Sequence, residues 1–475
     1  MNFPCFFSFP RYNDRKKGEL VCMITPKLDK GFEPIELALR TYEKKVGAGG
    51  VKITIVVERN GGYNYLYSLR AFPDGTGHDE ENYRIVERLV KSILWVVGGF
   101  RVSIAGSNYI YERLKDEYRI GGKRAFDADF MSGVYERPFE VCSLKENEIP
   151  APRSYSEKTG GHLDGCRIGF DAGGSDRKVS AVIDGKVVYS EEVVWYPKTT
   201  EDPHYHYDGI LTAMKTAASK MPRVDCIGVS SAGVYIDNKI MVASLFLKVD
   251  KQKWGDYIKN MYINVAKEIG NVPLVVANDG DVTALAGSMG LNDNEVLGIA
   301  MGTSEAVGYI NSDGGVNGWL SELAFAPVDM NESAMQDEWS GDIGVGCKYF
   351  SQDAVIKLAE AGGYRFAEGA SPAEKLKEIQ KLMEEDSPLA KTIYEDIGIY
   401  LGHTLPFYAR FYSLKHVLLL GRVTGGKGGN ILLEACKRVI NEEYPELAGV
   451  NVSLPDEKSR RVGQSIAAAS LPALK

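Results

Sequence analysis

Four short apolar segments end in turns of small or acidic residues, and this recurrence limits the fold more than any other feature of the chain. They are 167–170 before Asp171-Ala172-Gly173-Gly174-Ser175, 274–277 before Asn278-Asp279, 296–300 before Gly302-Thr303-Ser304, and 417–420 before Gly421. Helical spacing of apolar residues fits 210–220, 254–269, 354–360, 372–383 and 389–412. Strands that end in Gly, Asp, Ser or Thr turns, with helices between them, predict an α/β architecture. Further strands are expected at 179–183, 186–194 and 226–229. The like form of the turns near 171 and 302 predicts two related halves, a first lobe over 166–285 and a second over 286–475.

Ahead of these halves the pattern differs. Residues 146–161 are rich in Pro, Ser, Gly and charge and read as a linker, bounded at 151–165. Before it, strands are expected at 51–58 and 63–70 about an Asn60-Gly61-Gly62 turn, then a helix over 82–97 and a strand at 101–105. Residues 24–150 are therefore expected to form a separate α+β domain, of a role the residues do not reveal. The first 23 residues carry Phe3-Pro4-Cys5-Phe6-Phe7 but no basic segment ahead of it, a poor secretion signal, and are expected to be a flexible tail.

Composition excludes several classes. The 51 glycines among 475 residues follow no triplet period, which rules out collagen. A net charge of −8 offers no electrostatic footprint for nucleic acid. No stretch reaches the about 20 apolar residues of a membrane span. Seven scattered cysteines without a Cys-x-x-Cys pair argue for a cytoplasmic protein rather than a disulfide framework.

The turns carry the chemistry. Gly173 and Gly174 let backbone N–H groups face an anion, Ser175 adds a hydroxyl, and Asp171 suits a metal ion or its bound water. Gly302-Thr303-Ser304 repeats the form, and Gly421-Arg422-Val423-Thr424-Gly425-Gly426 could cover the purine side of a nucleotide. None is a Walker loop. Taken alone, each is also what an ordinary turn contains. Asp279, at the carboxyl end of a strand, can accept the proton of an attacking hydroxyl, with Asn278 fixing that hydroxyl.

Together these residues resemble the ROK group of sugar kinases and repressors, of the actin-like ATPase superfamily, over about 166–470. Asp171-Ala172-Gly173-Gly174-Ser175 resembles the family's first phosphate motif, Asp-x-Gly-Gly-Thr. The run from Asn278-Asp279 to Gly287 resembles its catalytic segment, and Gly302-Thr303-Ser304 its second phosphate loop. Ser321-Glu322-Leu323-Ala324-Phe325-Ala326-Pro327-Val328 is similar to its Gly-Glu-Ile-Gly-His-Met-Pro-Val. The resemblance implies a two-lobed, ribonuclease H-like fold and ATP-dependent phosphorylation of a sugar or sugar-like hydroxyl. Asp279 would be the general base, and Asn278, Glu322 and Gly233 would contact the sugar. Asp171, Gly173, Gly174, Ser175, Gly302, Thr303, Ser304 and Gly421 would hold ATP, with Mg²⁺ at Asp171. It also suggests a homodimer.

The chain departs from the family in ways that keep a second reading open, a degenerate carbohydrate-sensing or regulatory protein. Phe325 replaces the family's histidine, and Asp342-Ile-Gly-Val-Gly-Cys347 stands where a zinc-binding cysteine cluster is expected. One cysteine cannot supply about four ligands, so no structural zinc is expected. The family's second sugar-binding glutamate is missing. Glu305 would place a negative charge near the phosphates unless it pairs with Arg177, Lys178 or a metal. The strand-rich 51–105 does not look like the helix-turn-helix of the family's regulators. His204-Tyr205-His206 puts two imidazoles two apart, which suits metal ligands or substrate contacts on a strand, but after Pro203 it reads more readily as a surface loop. Trp319 and Trp339, near the expected sugar site, suit either stacking on a sugar ring or packing.

Overall fold

The structure, a computed structural model, describes residues 23–154, 158–455 and 463–474. Apart from Met23, the expected N-terminal tail lies outside them. No helix among the described residues is long and apolar enough to cross a membrane.

The N-terminal part contains α1 (Ile35–Val46), β1 (Val51–Glu58), β2 (Asn64–Ala71), α2 (Asp79–Val96), β3 (Arg101–Ala105), α3 (Asn108–Glu117), α4 (Ala125–Tyr135) and β4 (Glu140–Leu144). Its sheet runs β2-β1-β3-β4. The β1–β2 hairpin turns at Gly61 and Gly62, whose φ angles of 72° and 74° suit glycine.

The first lobe follows with β5 (Cys166–Ala172), β6 (Asp176–Ile183), β7 (Lys186–Val194), α5 (Pro203–Ala218), β8 (Cys226–Ser231), β9 (Val234–Ile236) and β10 (Lys239–Val242). A single turn α6 (Lys251–Lys253), then α7 (Met261–Ile269), β11 (Leu274–Asn278) and α8 (Asp279–Leu291) complete it. Its sheet runs β11-β8-β5-β6-β7. β5, β8 and β11 are parallel, so their carboxyl ends align, with Asp171 opposite Ser230 and Asn278 opposite Ser231. That is where an open α/β sheet binds ligands.

The second lobe comprises β12 (Val296–Met301), β13 (Glu305–Ile310), α9 (Gln352–Ala361), α10 (Pro372–Glu384), α11 (Pro388–Tyr408), β14 (His416–Leu420), α12 (Gly426–Glu443) and β15 (Asn451–Ser453). Its sheet runs β13-β12-β14-β15. The two halves are thus related but unequal, because the second sheet has two hairpin strands where the first has three. The last helix, α13 (Gln464–Ala469), returns to the first lobe. A Cβ on Gly169 of β5 or Gly228 of β8 would run into the carbonyls of Ser465 and Ala468, so glycine is required where α13 crosses the sheet.

The N-terminal α+β unit keeps its own sheet but not its own core. A continuous apolar cluster runs from Ile55, Leu89 and Trp95 through Leu323 and Phe325 to Tyr400 and Leu419 of the second lobe. Charged side chains bridge the same boundary. Arg88 and Lys91 of α2, with Arg124, surround Asp342 at 3.1, 3.2 and 2.8 Å. Glu87 and Asp127 take up the remaining charge on these cations. All six side chains are buried. Burial opposes ionisation of Asp342, but Arg88 and Lys91 outweigh it and hold its carboxyl below the usual range. Asp342 opens the segment that, in the resemblance to the ROK group, stands in place of a zinc motif. Among the described residues no cluster of three metal-ligating side chains occurs.

Candidate functional site

Asp279 is the first residue of α8, immediately after β11. The Asn278 side chain caps that helix, accepting the Gly280 N–H at 2.7 Å and donating through Nδ2 to the Gly233 carbonyl at 2.7 Å. Gly233 can take this place because its φ is 140°. Asn278 and Gly233 are therefore tied to each other, and Asp279 projects from a fixed helix start. Burial pushes the Asp279 carboxyl up, while the Gly280 amide and the charge of Lys198 oppose the shift.

Three further carboxyl groups, Asp171, Asp281 and Glu322, lie within electrostatic reach. Asp171, at the end of β5, accepts the Ser230 hydroxyl at 2.7 Å. Burial, and to a lesser degree the negative charge of Asp279, raise it to about 6. Glu322 is pushed up to about 8 by burial and by Asp279 and Asp281. Burial is the larger cause at each of them, and like charge adds to it at Asp171 and Glu322.

Glu322 owes its position to the N-terminal unit. The carbonyls of Trp95, Val96 and Val97, left without helical partners at the end of α2, accept the amides of Glu322, Ser321 and Leu320 at 2.9, 2.9 and 3.3 Å. Ser321 is held at φ 52°, an uncommon conformation for a residue with a side chain. Phe325, in the 3₁₀ turn that follows, packs 4.5 Å from the Trp95 ring and 5.1 Å from the Trp339 ring. Trp339 thus covers Phe325 and also faces solvent, while Trp319 packs on Tyr65 and Tyr412.

The expected phosphate loops occupy the turns between hairpin strands. Gly173, Gly174 and Ser175 join β5 to β6, and Gly302, Thr303 and Ser304 join β12 to β13. A Cβ on Gly302 would meet nothing nearer than the Ser304 carbonyl at 3.7 Å, so the second turn presents open backbone. Arg422 of the third loop donates to the Thr303 hydroxyl at 2.7 Å, and a Cβ on Gly421 would strike Met301. The second and third loops are therefore one assembly. Beside them lies a cavity of about 350 Å³ lined by Gln380, Glu384, Tyr394, Gly425, Gly426 and Gly428 among others. The sequence reading reached Gly425 and Gly426 but not Gln380, Glu384 or Tyr394, which occupy α10 and α11 and look like ordinary helix residues.

Two expectations change. Glu305 pairs with neither Arg177 nor Lys178 but turns inward, where Tyr408 donates to it at 3.4 Å and its second oxygen has no partner. Burial and the neighbouring Glu322 raise it to about 8, which removes its charge near neutrality. His204-Tyr205-His206 is not a loop. Asp202 caps α5 and Pro203 opens it, placing these residues in the first helical turn.

No known family profile matches the chain, and no curated protein matches it. Solved structures do. A ROK hexokinase from Thermus thermophilus aligns with a TM-score of 0.50 and 16% identity over 64% of this chain and 97% of its own. A ROK transcriptional regulator, described as a homologue of the E. coli MLC protein, gives 0.49 and 15% over 65% of this chain and 79% of its own. A ROK glucokinase from Streptomyces griseus, in complex with glucose and AMPPNP, gives 0.43 and 18% over 64% and 98%. Over 64% of its length the chain has the two-lobed actin-like ATPase fold of the ROK hexokinase, joined to an N-terminal α+β unit that shares the second lobe's core.

Proposed function

We propose that the protein is a divergent ROK-type kinase that transfers the γ-phosphoryl group of ATP to a hydroxyl of a sugar or sugar-like polyol. The observation that carries this reading is Asp279, half-buried just after parallel strand β11, in the sheet whose β5 carries Asp171 near its own carboxyl end, with its charge raising the Asp171 and Glu322 carboxyls. Asp279 takes the proton of the acceptor hydroxyl. The acceptor oxygen bonds to the γ-phosphorus as the bond to the bridging oxygen of ADP breaks, and charge passes to ADP. Asn278, Gly233 and Glu322 hold the acceptor.

The residues fit ATP with Mg²⁺. Gly302 presents open backbone where phosphates need it, Gly174 lies under Lys198, and the cavity beside Gly425 suits a purine. Asp171, raised by burial, gains from a neighbouring divalent cation, and Mg²⁺ commonly uses one or two carboxylates with phosphate oxygens and water. When bound, the metal neutralises charge on the transferred group.

A carbohydrate-sensing role is the second reading, favoured by Phe325 in place of the family's histidine. ATP consumption across a panel of sugars and polyols separates the two. Turnover of a specific acceptor supports the kinase, and binding without turnover of any acceptor supports the sensor.

A further inference from the structure

The first phosphate turn has a companion that no motif marks. The Trp195 indole N–H donates to the Gly173 carbonyl at 2.8 Å, and the Trp195 amide donates to the Ser175 carbonyl at 3.1 Å. Trp195 is fully buried, so the chain after β7 is fastened to both flanks of that turn. The next residues form a 3₁₀ turn, Pro197–Thr199, whose own anchors are also built in. Tyr196 N–H donates to the Tyr205 hydroxyl at 3.0 Å, the Thr200 hydroxyl donates to the Tyr196 carbonyl at 2.7 Å, and His206 Nε2 lies 3.1 Å from the Pro197 carbonyl. The otherwise unassigned Tyr205 and His206 of α5 thus fix one short turn.

That turn presents Lys198. Its Cε and Nζ lie 2.9 and 3.0 Å from the point that a Cβ on Gly174 would occupy, so the ammonium rests over the glycine backbone of the phosphate turn. Of the neighbouring cations, one lies beside a carboxylate and one beside an aromatic ring. Lys178 lies 3.4 Å from Asp176, and Arg177 stacks 5.7 Å from the Trp195 ring. Among the described residues no salt bridge engages Lys198. Its charge also reaches Asp279, where it opposes the rise of that carboxyl.

We propose that Lys198 is a catalytic cation that binds the terminal phosphates of ATP and offsets the charge on the phosphoryl group in transfer. This rests on the kinase reading for the transfer step, but the binding it requires can be measured without turnover. A lysine suits the task as a compact charge with three donors on a flexible stem, which can follow a phosphate during transfer.

The test is calorimetric binding of Mg²⁺-ATP and of AMP to the full-length protein, its Lys198→Met variant and its Lys198→Arg variant. Lys198 is exposed, so neither substitution disturbs the core. The expected result is an ATP affinity about tenfold or more weaker in Lys198→Met, largely restored in Lys198→Arg, with AMP affinity equal in all three. Equal ATP affinity in Lys198→Met and the unmodified protein overturns the proposal, as does an equal loss of AMP affinity. Failure of every sugar to be phosphorylated would sink the kinase reading while leaving this binding comparison intact.

Discussion

The Trp95 carbonyl accepts the Glu322 amide at 2.9 Å, and the Trp95 ring lies 4.5 Å from Phe325 three residues further on. One residue of the N-terminal unit therefore sets both ends of the turn that faces the candidate acceptor site. The unit is part of the site's framework, joined to the second lobe by apolar packing and by the charges around Asp342.

Asp342→Asn removes the anion shared by Arg88, Lys91 and Arg124 and leaves buried positive charge only partly matched by Glu87 and Asp127. Loss of one member of such a group costs about 3–5 kcal/mol. Urea unfolding of the variant is expected to show a loss of that size and a weaker acceptor affinity. Unchanged stability would mean that the cluster does not hold the N-terminal unit in place.

Glu305→Gln tests the inward carboxyl. Glu305 is raised to about 8, chiefly by burial, so the folded protein favours its protonated form. Its stabilising contribution is fully present below the ordinary carboxylate range and is lost as pH rises through about 8. Glutamine cannot ionise. The Tm of Glu305→Gln relative to the parent is expected to climb between pH 5 and pH 9. A constant difference across that range would contradict the assignment.

Gly425→Leu probes the cavity beside the third loop. A Cβ at Gly425 meets the Arg422 carbonyl at 3.3 Å and Gln380 Nε2 at 3.9 Å, so the longer side chain is directed into confined space. The expected outcome is a several-fold rise in KM for ATP with the acceptor KM unchanged. A shift in the acceptor KM alone would move the nucleotide elsewhere.

The strand-and-turn plan was legible because each loop is local: Asp171 to Ser175, Asn278-Asp279 and Gly302 to Ser304 lie within a few residues of the strand that presents them. The unit around α2 was not. Its apolar spacing marked the helix correctly, but Glu87, Arg88 and Lys91 look like a solvated face, and Asp342, which Arg88 and Lys91 share, is 254 residues from Arg88. His206 was misplaced for a nearer reason, since the Asp202 cap and Pro203 announce a helix start that the loop reading passed over. Glu305 is legible as an anomaly in a phosphate loop, but its burial under Tyr408 depends on α11, about a hundred residues on.

Asp279→Asn keeps the size of the side chain and an oxygen for the Gly280 N–H while removing its capacity to accept a proton at neutral pH. On whichever acceptor the parent phosphorylates, the account predicts a fall in kcat of about 10²–10⁴-fold, with Mg²⁺-ATP and acceptor binding preserved. Equal kcat in the variant and the parent would contradict Asp279 as the general base.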